Sequence, residues 1–130
     1  MAQTMEQKRA ADAWKAATQG VSPAMLDAYG KLAKGLPALI MNSGLLQVLA
    51  FLHEKGGGGR GSQAHCDLLG QHLRAWLVQR FPELKSADFG PFMQALMKAE
   101  PRTFQHVTTE AFAWLRWVRQ MAPAVRAGEQ

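Results

Sequence analysis

Apolar positions along the chain recur at helical spacing and almost nowhere alternate. Met25, Leu26, Tyr29, Leu32, Ala33 and Leu36 share one face of a helix, with Asp27, Lys31 and Lys34 on the other. Ser22 before Pro23 supplies an N-cap and a first-turn proline. Gly35 and Pro37 are expected to interrupt this helix, leaving a separate short helical stretch over 37–41. Asn42-Ser43-Gly44 reads as a stop and restart. Over 44–55, Leu45, Leu46, Val48, Leu49, Phe51 and Leu52 occupy most of the circumference, which predicts a helix central in a core.

The remaining segments follow the same period. Residues 4–19 carry a thin apolar face of Met5, Ala10, Ala13, Trp14 and Ala17, with Lys8, Asp12 and Lys15 opposite. Ser62 is expected to cap a helix ending near Phe81, with Leu69, Leu73, Trp76 and Leu77 inward and Arg74 and Arg80 outward. A fifth helix covers about 88–99, and a sixth about 101–121 with Phe104, Val107, Ala111, Trp114, Leu115, Val118 and Met121 as its stripe. The glycine-rich stretch 56–61 is expected to be a flexible loop, and the tail after Ala122-Pro123 to fray. The predicted fold class is all-α: one domain over 1–130, a compact bundle of about six helices.

Composition supports helix over sheet. Ala and Leu dominate, while Ile40 and Tyr29 are the single residues of their types. The polar N-terminus has no signal-peptide h-region, and no apolar run approaches the ~20 residues that span a bilayer, so a soluble, cytoplasmic protein is expected, without membrane partners. The net charge of +5 tilts the partner toward polyanions.

Little in the sequence looks like chemistry. Cys66 stands alone, so it excludes an internal disulfide and any multi-cysteine metal site. His65 and His72 are seven apart, too far for the usual helical zinc pair, and His53 and His106 read as ordinary histidines. The glycine run lacks the Gly-Lys-Ser/Thr ending of a phosphate loop. No catalytic residue, metal or cofactor is expected; an enzyme built on His65, Cys66 or the other histidines is the least favoured reading. The basic residues remain. Lys8, Lys15, Lys31, Lys34, Arg74, Arg116 and Arg119 are the candidates for contact with a phosphate backbone. Phe112, Trp117 and Met121 are candidates for a subunit interface.

Two passages resemble a known family. Leu36-Pro37-Ala38-Leu39-Ile40, the turn with Gly44-Leu45, and Gln47-Val48-Leu49-Ala50-Phe51 resemble the central motif of the small subunit of type III-B (Cmr) CRISPR effector complexes. Glu110-Ala111, then Trp114-Leu115-Arg116-Trp117 with Arg119 after it, resembles that family's closing helix, and Arg9-Ala10 fits its first helix more loosely. The resemblance implies a non-catalytic helical subunit in antiviral defence. Copies of it would stack head to tail into a filament beside the backbone subunit, and basic side chains would contact guide and target RNA. A duplex read by shape needs distributed cations and no base-specific groups. The alternative is a structural protein–protein adaptor of the filament that touches no RNA.

Overall fold

The computed structural model describes residues 2–57 and 63–128. Among them lie six α-helices: α1 (Met5–Thr18), α2 (Pro23–Ser43), α3 (Leu45–Gly56), α4 (Ala64–Arg80), α5 (Phe89–Lys98) and α6 (Pro101–Gly128), with a 3-10 turn at Pro82–Leu84. The described residues include no strand, and the fold is an all-α bundle. Thr4 opens α1 with a capping box, accepting from the Gln7 backbone N–H while the Gln7 side chain accepts from its own. Ser22 caps α2 in the expected way.

The helix predicted to break at Pro37 does not break. α2 runs through Pro37 to Ser43 as one element. Proline there removes the hydrogen bond that residue 37 would give to Ala33. Leu36 and Ile40 lie on either side and are both buried, together with Ala33. Burying two such side chains contributes about 1.5–3 kcal/mol each, comparable to the proline's cost of about 3 kcal/mol. The corner after α2 is a single residue. Gly44 has φ +87°, its N–H donates to Ile40 O at 2.7 Å, and its C=O accepts from Val48 N at 3.2 Å. That conformation suits a residue without a Cβ.

α6 is the longest of the described helices and packs on both α1 and α2, while α3 packs on α4. Arg9 meets Glu110 and Asp12 meets Trp114, so α1 and α6 run parallel. Asp27 meets Arg126 and Gly30 meets Ala122, so α2 and α6 run antiparallel. The core contains Tyr29, Leu36, Leu49, Leu73, Phe92 and Trp114, all fully buried. α3 is buried through Leu45, Val48, Leu49 and Leu52, but Phe51 on its other side faces solvent.

Two boundaries differ from expectation. Gly56 belongs to α3 and is buried, because a Cβ at that position would run into the backbone and Cβ of Asp67 on α4. Gly57 ends α3 in the left-handed conformation, while 58–61 and the expected Ser62 cap lie outside the described residues. The expected fraying after Ala122-Pro123 is not seen: α6 continues to Gly128, held by buried Ala122 and Val125.

Candidate nucleic-acid interface

The antiparallel packing of α2 on α6 collects basic side chains from both ends of the sequence. Gly30 permits the close approach: a Cβ there would sit 3.1 Å from the Ala122 Cβ. Above this floor lies an open groove of about 290 Å³, lined by Lys31 and Lys34 from α2 and by Arg119 and Arg126 from α6. Asp27 is the one acid in the lining. It accepts from Arg126 Nη1 at 2.8 Å and pairs with Lys31 Nζ at 3.0 Å. The hydrogen bond from Lys31, with the charges of Arg126 and Lys31, holds the Asp27 carboxyl below its ordinary value. Lys34 and Arg119 enter no ion pair among the described residues. Arg126 is not among the sequence candidates. It shares the acid-free stretch of Arg116 and Arg119, and the continuation of α6 places it in the groove.

Lys8 and Lys15 line a second groove, of about 480 Å³, between α1 and α4, with Arg80 and Asp12. Arg116 is exposed on α6 but lies outside the lining of the first groove. Arg74 is corrected outright. It is 4% exposed, its Nε donates to Ala87 O at 2.8 Å, and its guanidinium lies 5.4 Å from the centre of the Phe89 ring. The helical period puts Arg74 off the apolar stripe of α4; the segment leading into α5 covers that face.

Phe112, Trp117 and Met121 are half-buried and pack against the core. The exposed large apolar residues are instead Met41 (79%), Met97 (61%), Trp14 (49%), Phe51 (43%) and Leu39 (42%). Leu39 and Phe51 line one shallow apolar groove at the α2–α3 corner.

Most buried polar groups are occupied with one another, whereas His53 Nδ1, Arg74 Nη1 and Arg80 Nε make no hydrogen bond among the described residues. Glu110, 4% exposed, accepts from Arg9 Nε at 2.7 Å, Arg9 Nη2 at 2.8 Å and Trp76 Nε1 at 3.1 Å, with Arg80 Nε 3.5 Å away. Burial pushes its carboxyl up. The hydrogen bonds from Arg9 and Trp76 and the charges of Arg9 and Arg80 outweigh that and hold it below its ordinary value. The knot ties α1, α4 and α6 together.

Asp12 accepts from Trp114 Nε1 at 2.8 Å. His72 Nδ1 lies 2.7 Å from the Tyr29 hydroxyl, and burial with the nearby Lys15 pushes its pKa down to about 4. His53 stacks on Phe89 with ring centres 3.8 Å apart and reaches Asp67 at 3.3 Å. Cys66 lies 3.7 Å from His65 Nε2, but burial pushes its thiol up, away from the reactive thiolate. Among the described residues no three His, Cys, Asp or Glu side chains are grouped to hold a metal, and no helix is long and apolar enough to cross a membrane.

Comparison with known proteins bears on the whole bundle. No curated relative matches the chain. The family described as CRISPR-associated protein (Cas_Cmr5) matches residues 5–125, a span running from the start of α1 into the last turns of α6. It includes Arg9 and Glu110, from the first-helix and closing-helix passages of the family resemblance, which meet in the buried knot. The chain belongs to the Cas_Cmr5 family, the small subunit of the type III-B CRISPR complex.

Proposed function

We propose that this subunit is a non-catalytic, cytoplasmic component of antiviral defence. It stacks with copies of itself beside the backbone subunit and contacts guide and target RNA through phosphates. Family membership implies association with other subunits of the complex. The observation that carries the RNA reading is the α2–α6 groove, where four cations from distant parts of the chain converge around one acid. Phosphate neutralisation needs such a cluster and no fixed motif. The absence of catalysis in this reading is supported by the polar chemistry of the interior. Glu110 is saturated by two arginines and a tryptophan, His72 is held by Tyr29, and the Cys66 thiol is pushed away from ionisation.

The test is the double charge reversal Lys34→Glu with Arg119→Glu, assayed in the reconstituted complex. RNA affinity is expected to fall about tenfold or more. The magnitude of the salt slope should shrink by about 0.7 for each single-strand phosphate that is no longer neutralised. Unchanged affinity and slope would remove the groove from the RNA path.

The structural-adaptor reading is favoured by a different observation, the apolar groove of exposed Leu39 and Phe51 at the α2–α3 corner. Crosslinking in the intact complex separates the two. RNA adducts on α2 and α6 support the first reading, and adducts to protein neighbours alone support the second.

A further inference from the structure

The α2–α6 groove already contains an anion. Asp27 sits between Lys31 and Arg126 and bonds both, at 3.0 and 2.8 Å, while Lys34 and Arg119 on the same lining pair with no acid among the described residues. A carboxylate bridging two cations across a helix–helix groove occupies the position that a phosphate oxygen would take. All three side chains are exposed to solvent, with Lys31 76%, Arg126 51% and Asp27 40% accessible. The pairs are therefore weak enough to exchange. We infer that Asp27 is a built-in competitor for the groove's phosphate seat, releasing Lys31 and Arg126 only to a polyanion that displaces it; this rests on the groove binding RNA as proposed above.

Competition of this kind favours ligands with several linked phosphates. A lone anion displacing Asp27 exchanges one charge for another. A strand that also engages Lys34 and Arg119 delivers further phosphates to the same groove and shifts the exchange in its favour. Asp27 would then act on discrimination between a polynucleotide and the small phosphates of the cell, as well as on affinity.

The experiment titrates a labelled single-stranded oligouridine onto the reconstituted complex carrying this subunit and competes it with inorganic phosphate. Asp27→Asn keeps the size of the side chain and an oxygen that Arg126 can still reach, but removes the charge. It is expected to tighten RNA binding by about three- to tenfold, the effect of removing two exposed ion pairs. The salt slope should steepen by about 0.7, one more phosphate neutralised on a single strand. Phosphate should also compete more strongly than it does with the native chain. Asp27→Ala, which cannot bond Arg126 at all, is expected to move binding in the same direction. Glu54→Gln removes the same charge from an exposed position on α3 outside the groove and is expected to change affinity less than twofold, because remote exposed charges are screened over about 8–10 Å.

Equal tightening by Glu54→Gln and Asp27→Asn would mean a general field effect and would overturn the inference. So would unchanged affinity in both Asp27 variants while Lys34→Glu with Arg119→Glu still weakens binding, a result that leaves the groove reading intact. RNA binding that is absent, or indifferent to Lys34→Glu with Arg119→Glu, overturns both.

Discussion

Glu110 shows how a single charged residue can look misplaced in sequence and be necessary in the fold. It lies in the apolar stripe of α6, between Val107 and Trp114, where burial opposes ionisation. Arg9, 101 residues away along the chain, supplies a bidentate partner, and Trp76 a third donor. Removing Glu110 leaves the Trp76 N–H buried and unpaired, and leaves the half-buried Arg9 and Arg80 without their acid. Glu110→Ala is therefore expected to destabilise the subunit by about 1–3 kcal/mol in urea unfolding. A change below about 1 kcal/mol would mean that the knot does not hold the helices together.

The same residue and His72 set the acid limb of stability. Both have folded pKa values below their unfolded ones. Each contribution is complete above the unfolded value and disappears as pH falls toward the folded one. For His72 the window runs from about 6.5 down to about 4; Glu110 adds a further decline once pH drops below its ordinary value of 4.5. His72→Gln keeps an acceptor for the Tyr29 hydroxyl and cannot titrate. It is expected to flatten the fall in urea midpoint between pH 6.5 and 4, and an unaltered profile would remove His72 as its source.

At the scale of elements, local rules predict where most helices lie but misjudge two prolines and a glycine. Pro37 and Pro123 both sit inside helices. Proline disfavours the helix interior by a fixed local cost, whereas the burial that offsets it is set by what lies opposite. Leu36 and Ile40 beside Pro37, and Ala122 and Val125 beside Pro123, are covered by other helices. Gly56 is the converse case. Its place in a glycine run reads as loop, yet it is a buried helical residue where α3 and α4 nearly touch. Gly56→Ala forces a Cβ into the Asp67 backbone and is expected to cost about 1–3 kcal/mol, read as a lower thermal midpoint. Nearby exposed Ala50→Gly should cost only its helix propensity, about 1 kcal/mol; equal effects would argue against the close approach of the two helices.

The whole molecule decides which cations can act together. Lys31 and Lys34 are grouped in sequence by an acid-free stretch, as are Arg116 and Arg119. Only the antiparallel packing of α2 on α6 joins Lys31, Lys34 and Arg119, adds Arg126 and leaves Arg116 outside. Lys8 and Lys15 face a separate groove with Arg80. Because Lys34 and Arg119 enter no ion pair among the described residues, their charge reversal is expected to shift unfolding free energy by less than about 0.5 kcal/mol while it weakens RNA binding. A variant that unfolds would show instead that these side chains hold α2 against α6.

Helix positions, the inward stripes and the family were determined by the sequence alone, because a 3.6-residue period, a cap and a linear motif are all local. Arg74 marks where that reach ends. Its spacing on α4 says which side it leaves by, but whether water or Ala87 and Phe89 waits there depends on how a later segment folds back. The groove is the same problem on a longer range: Asp27 and Arg126 are 99 residues apart, and their meeting depends on Gly30 letting α2 settle against Ala122. The sequence determines how much charge and apolar surface each helix carries. Tertiary packing alone decides which of it is shared, covered or left facing a partner, because those outcomes depend on distances between segments that no local spacing encodes.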